Sequence, residues 1–157
     1  MPSIPMTKVG HKQLKAELDR LKTKERPKVV ADIEEARAHG DLSENAEYDA
    51  AKDRQGFVEG RIRELQGKLA QAEIIDPSSL SGERVVFGAT VTLFDIDQDE
   101  EFTYQIVGND ESDIKDNKIS YKSPIARALI GKTVGEETTI KAPQGDRLIE
   151  VMDVEFF

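Results

Sequence analysis

The sequence predicts an α+β protein in which a long antiparallel coiled-coil hairpin precedes a small, mostly antiparallel β-sheet carrying one short helix. Three observations lead there. Apolar residues of the first half step by 4 and 3, the spacing of a coiled-coil seam. The second half alternates β-branched and aromatic runs with turn residues. Charge divides in the same way: residues 1–75 carry 14 basic and 14 acidic side chains, residues 76–157 carry 8 and 17, so the formal net charge of −9 belongs to the second half. Asp76-Pro77-Ser78-Ser79-Leu80-Ser81-Gly82 breaks any regular pattern and sets the expected domains at 1–76 and 77–157.

The elements follow in chain order. Leu14, Leu18 and Leu21 begin an apolar stripe that is interrupted at Arg26-Pro27 and resumes at Val29, Val30, Ile33 and Ala36. Proline inside a helix loses a hydrogen bond and clashes with the preceding turn at a cost of about 3 kcal/mol, so Pro27 must bend this helix or open a new segment. Ala51, Val58, Ile62, Leu65, Leu69 and Ala72 form the facing seam. Each helix of about 30 residues runs about 45 Å at 1.5 Å per residue. Neither buries its stripe alone, and the short connection at His39-Gly40-Asp41-Leu42-Ser43-Glu44 makes them antiparallel. Gly40 suits the left-handed position after a helix, and Asp41 or Ser43 suits the N-cap of the next. Gly56 and Gly60 permit either close helix approach or a bend. Strands are expected over 84–94, 102–107, 119–121, 138–141 and 148–156, with a short helix opened by Ser123 and Pro124 and closed by Gly131.

Composition excludes several functions. A pI near 4.8 repels a phosphate backbone, which removes an unaided nucleic-acid binder. The absence of cysteine removes disulfides, thiolate nucleophiles and sulfur-ligated metals. Met1 to Met6 show neither the basic head nor the apolar run of a signal peptide, no later window approaches a membrane span, and a cytoplasmic location is expected. No P-loop or dinucleotide-binding fingerprint occurs.

The hairpin tip holds the informative chemistry. Asp41, Glu44, Glu47 and Asp49 place four carboxylates within nine residues and no basic residue among them. Asp41 and Glu44, three apart at a helix start, face the same way if both are helical, and their oxygens then reach one ion. The same pair also reads as a capping box complementing the helix dipole. Two solvated carboxylates make no cage, whereas Mg²⁺ commonly takes one or two carboxylates with phosphates and water, so a metal here needs outside ligands. Other candidates fail on spacing. Asp95-Ile96-Asp97-Gln98-Asp99 begins like a calcium loop, but Glu100 replaces the required glycine and Ile106 the closing glutamate, which leaves a hairpin turn. His39, Asp41 and Ser43 crowd one turn and cannot align as a triad. Lys8, Lys12, Lys15, Lys22 and Arg26 form a basic stripe along the first helix, either solubilising the seam or meeting RNA or an acidic partner.

The run Glu35 to Tyr48, with Gln55 to Ile62, Val86 to Val91 and Ser123 to Lys132, resembles the GreA/GreB family of bacterial transcript cleavage factors over nearly the whole chain. Its acidic balance resembles the acidic branch of that family. The resemblance implies a C-terminal domain similar to FKBP proteins but without their isomerase role. It implies a factor that is no enzyme itself: the coiled coil enters the secondary channel of bacterial RNA polymerase and stimulates the polymerase's own cleavage of the 3′ end of backtracked RNA, rescuing arrested complexes. On the matching positions, Asp41 and Glu44 are the catalytic pair that helps hold Mg²⁺ of the polymerase active centre, and Asn45, Glu47 and Tyr48 support the tip. The basic stripe implies contact with RNA, and Ser123 and Pro124 imply docking on the polymerase. The expected partners are therefore bacterial RNA polymerase and backtracked RNA, with no membrane, no small-molecule substrate and no cofactor held alone. A prolyl isomerase or chaperone built on the second domain, and a channel inhibitor that blocks the site, are the competing expectations.

Overall fold

The apolar stripes become one helical arm folded back on another. In the computed structural model, which describes residues 3–40 and 45–157, strand β1 (Ile4–Thr7) leads into helix α1 (Lys8–Arg20). A π-helical turn over Leu21–Glu25 joins α1 to α2 (Arg26–Ala38), and α3 (Ala46–Ala70) forms the returning arm. Arg20, Glu25 and Arg26 keep right-handed helical angles, so the first arm runs on as one helix and Pro27 lies just after its π turn rather than at a helix start. The π turn absorbs the change of geometry just before it, through the hydrogen bond from the Arg26 N–H to the Leu21 carbonyl. The Thr23 hydroxyl donates to the Asp19 carbonyl at 2.8 Å, across the same turn.

Leu14, Leu21, Val29, Ile33 and Ala36 are buried on one arm and Ala51, Val58, Ile62 and Leu65 on the other. Two seam assignments need correction. Val30 is exposed, because it lies about 100° round the helix from Val29 and off the 4-3 spacing. Ala72 belongs to strand β2 (Ala72–Ile75), since the helix ends at Ala70. Ion pairs join the arms: Arg61 Nε and Nη2 donate to Glu17 at 2.9 and 3.1 Å, Arg26 donates to Glu59 at 2.7 and 2.8 Å, and Arg54 Nη2 approaches Asp32 to 3.2 Å. A Cβ at Gly56 would meet nothing within 4 Å, and one at Gly60 would reach only Arg63 at 3.9 Å. Close helix approach thus requires glycine at neither position.

The chain separates into two compact units, residues 11–72 and residues 3–10 with 73–157. The second unit is a five-stranded sheet in the order β5-β4-β3-β7-β6, with β3 (Thr90–Asp95), β4 (Glu100–Val107), β5 (Lys118–Ser120), β6 (Glu137–Ile140) and β7 (Arg147–Glu155). All pairings are antiparallel except β4 with β5. Helix α4 (Pro124–Leu129) contributes Ala126 and Leu129 to a core with Val91, Leu93, Ile106 and Ile149. Residues 84–89, expected within a strand, instead run as turn and loop. Gly88 has a φ of +90°, and only Arg84 makes an isolated bridge, to Thr133, before β3 starts at Thr90.

Strand β1 pairs with β2 in a separate two-stranded sheet and had no counterpart in the sequence reading. It is pinned by Glu111, whose carboxylate accepts from the Thr7 N–H at 2.7 Å, from the Thr7 hydroxyl and from the Gly108 N–H at 3.1 Å. A Cβ at Gly10 would displace that carboxylate and the hydrogen bonds it accepts.

Candidate functional site at the hairpin tip

Two helix ends meet at the tip, each with backbone groups that its own helix cannot satisfy. Helix α2 closes through N–H groups of His39 and Gly40 donating to the Ala36 and Arg37 carbonyls, both at 3.2 Å, and Gly40 takes the left-handed conformation, φ +106°. This agrees with the sequence. The N-cap of α3 does not: it is Asn45 rather than Asp41 or Ser43, in extended conformation, with Oδ1 accepting from the Tyr48 N–H at 3.0 Å. Asn45 Nδ2 donates to the Ala36 carbonyl at 2.7 Å. One carboxamide thereby serves the last turn of α2 and the first turn of α3, a double role that needs a donor and an acceptor on the same short side chain.

Because α3 begins at Ala46, Asp41 and Glu44 are not its cap and capping box. The pair itself, and the expectation that its oxygens face one way, lie outside the described residues. Glu47 and Asp49 occupy the first turn of α3, where carboxylates complement the helix dipole. Glu47 projects into solvent, with Oε2 3.7 Å from His39 Nε2. Tyr48 is half-buried. Beside these residues a hollow of about 270 Å³ is lined by Asp32, Glu35, Glu47 and Arg54 among others, so the acidity extends behind the tip.

The basic stripe divides. Lys8, Lys12, Lys15 and Lys22 are exposed. Arg26 instead engages Glu59 with both nitrogens of its fork, and this hydrogen bonding raises its already high pKa and lowers that of Glu59. Sequence reasoning missed the partner, because the two are 33 positions apart and only helix register brings them together. In the second unit, Ser123 caps α4 by accepting from the Ala126 N–H at 3.2 Å, and Pro124 is exposed in its first turn. The loop resembling a calcium site is a hairpin turn. Asp95 at its start is buried and accepts from the N–H groups of Asp97 and Gln98 at 3.1 Å and from Arg147 Nε at 2.9 Å.

Family profiles described as "Transcription elongation factor, N-terminal" and "Transcription elongation factor, GreA/GreB, C-term" match residues 4–74 and 80–156. The chain belongs to the GreA/GreB family. It is 60% identical to the transcription elongation factor GreA of Ralstonia nicotianae over 157 residues, 99% of each chain. It is 57% identical to that of Syntrophotalea carbinolica over 154 residues, 98% of each. A crystal structure of a GreA factor homologue from Thermus thermophilus aligns at 28% identity and a TM-score of 0.45, covering 98% of this chain and 99% of that one. Among the described residues of this GreA/GreB chain, no group of three or more His, Cys, Asp and Glu is arranged to hold a metal. No helix among them is long and apolar enough to cross a membrane. The donor chemistry of the tip suits a hard cation, since carboxylate oxygens are the protein ligands Mg²⁺ takes.

Proposed function

We propose that this chain is a transcription elongation factor whose hairpin enters the secondary channel of bacterial RNA polymerase in the cytoplasm and brings Asp41 and Glu44 to the polymerase active centre. There the polymerase, and not this chain, cleaves the 3′ end of backtracked RNA. The observation that carries the reading is Asn45, whose carboxamide ties the last turn of α2 to the first turn of α3 at the end of the hairpin where the acidic run of the sequence falls. Family membership over nearly the full length supports it.

Asp41 and Glu44 would hold Mg²⁺ jointly with ligands from the polymerase, RNA phosphate and water. When bound, such an ion lowers the pKa of a coordinated water and stabilises the leaving oxygen of a phosphodiester. Of this chain's described residues, Asn45 bridges the two helix ends, while Glu47 and Tyr48 lie in the first turn of α3. Lys8, Lys12, Lys15 and Lys22 offer exposed positive charge to the extruded RNA, and Ser123 with Pro124 offers a capped, rigid turn for docking on the polymerase. Arg26 contributes to that stripe only as far as its pairing with Glu59 allows.

The test is a halted bacterial elongation complex in Mg²⁺ buffer. The expected result is shortened RNA that the polymerase extends again. Asp41→Asn should abolish this and leave the melting curve unchanged, because the N-cap is Asn45 and not Asp41. Undiminished cleavage by that variant would remove the metal role. Isomerase activity of the full chain matching that of dedicated isomerases would favour the competing reading of the second unit.

A further inference from the structure

Among the large apolar side chains of the described residues, Phe57 is the most exposed, at 74%, although it lies on a helix whose seam is otherwise well covered. It borders a shallow groove of about 240 Å³ whose apolar lining includes Leu21, Val29 and Val58 from both arms of the hairpin. The π turn begins at Leu21, so the groove abuts the one irregular turn of the first arm, and π turns frequently accompany functional sites.

The charges around this groove indicate what fits it. Arg20 pairs with Glu25 at 2.8 Å and Arg54 with Asp32 at 3.2 Å. Lys28 is the remaining charged residue of the lining. A strand of RNA is held by a groove of uncompensated positive charge, and here two of the three cations already face carboxylates. An aromatic side chain and an apolar floor, ringed by mutually satisfied ion pairs, are instead the arrangement of a protein–protein hot spot, where a polar rim excludes water from a central anchor.

We infer that Phe57 and this groove form a contact on the hairpin for an apolar side chain of a protein partner, which, resting on the function proposed above, is the RNA polymerase that admits the hairpin. Phe57 anchors the complex and has no part in the chemistry at the tip. Its removal therefore acts on affinity, whereas removal of Asp41 acts on the cleavage rate at saturation.

Purified polymerase without nucleic acid is titrated with labelled full-length protein, and cleavage by halted complexes is measured over a range of factor concentrations. Phe57→Gln, exposed and compatible with a helix, should weaken binding at least about fivefold and raise the concentration for half-maximal cleavage equally, with the saturated rate unchanged. Phe57→Leu should recover most of the affinity. Unchanged affinity of Phe57→Gln in both assays overturns the inference and leaves the proposed function standing. Normal binding to nucleic-acid-free polymerase with loss confined to RNA-containing complexes overturns it in favour of an RNA contact. Failure of the wild-type chain to bind polymerase at all overturns the proposed function and this inference together.

Discussion

In the hairpin the apolar seam is narrow, and Leu14, Leu21 and Val58 keep 5–7% of their surface exposed, whereas Val91, Leu93, Ile106 and Ile149 of the sheet unit keep none. Charge is used differently too. The hairpin is neutral by count and sets Glu17, Asp32 and Glu59 against arginines of the opposite arm at its surface. The sheet unit carries the excess acid, yet its hairpin turn depends on a buried carboxylate, Asp95, held by Arg147 and two backbone N–H groups. The two helices bury their seam unevenly, Ile62 and Leu65 almost completely and Leu14, Leu21 and Val58 less so, and surface ion pairs help fix their register. Such pairs contribute about 0–1 kcal/mol each and are screened by salt. A sheet covered by a helix can exclude water fully, and a charge inside it must be satisfied by hydrogen bonds.

The sharpest way to break this comparison is to cut the same side chain from both units. Leu93→Ala should cost about 4 kcal/mol, near the upper end for a wholly buried leucine, and Leu14→Ala about 2 kcal/mol, because water and flexible neighbours refill a partly open seam. Calorimetry that follows the two transitions separately measures both, and equal costs would erase the distinction. Asn45→Ala should remove about 1–2 kcal/mol from the hairpin through the lost cap. Asn45→Asp retains the acceptor for Tyr48 but loses the donor to Ala36, so it should stabilise α3 normally while loosening the tip. Thermal melts followed by circular dichroism, set beside cleavage assays, separate the two effects.

Acid sharpens the comparison from the other side. Burial pushes the Asp95 carboxyl up, but the hydrogen bond from Arg147 and those from the Gln98 and Asp97 N–H groups outweigh it and hold the pKa below the ordinary aspartate value. A folded pKa below the unfolded one gives stability that is present above about pH 4 and is lost as pH falls through the folded value. The sheet unit of Asp95→Asn should therefore be less stable at neutral pH and show a shallower loss in acid, read from urea midpoints across pH. The smallest effect is expected at Gly56. Its helical backbone and open surroundings mean that Gly56→Ala should stabilise the hairpin by about 0.5–1 kcal/mol, measurable as a rise in its melting temperature.

Local patterns were legible wherever the physics is local. The 4-3 spacing gave the arms, Gly40 gave the end of α2, and Ser123, Pro124 and Gly131 gave α4. The acidic set around residues 41–49 is a property of composition alone. The errors came where several residues could make the same local interaction. Asp41, Ser43 and Asn45 can all cap a helix, and only the fold offers Asn45 a second partner, the Ala36 carbonyl on the opposite arm. Residues 84–89 have strand composition, but Val85 bonds to Gly131 and Lys132 while Gly88 and Ala89 bond to Ile106 of β4, and the turn at Gly88 keeps these bonds from joining into one ladder.

Side-chain periodicity and turn chemistry, which act over a few residues, already make this chain a helical hairpin with an acidic run at its turn followed by a β-rich unit. Tertiary structure alone decided that Arg26 faces Glu59, that Glu111 pins strand β1 through Thr7, that Asp95 is buried against Arg147, and that Phe57 stands in water beside a groove. Each of these depends on residues distant in the chain coming within a few ångströms. Their separation is set by helix register, shifted here by a π turn, and by strand pairing, neither of which is written in the spacing of any one segment.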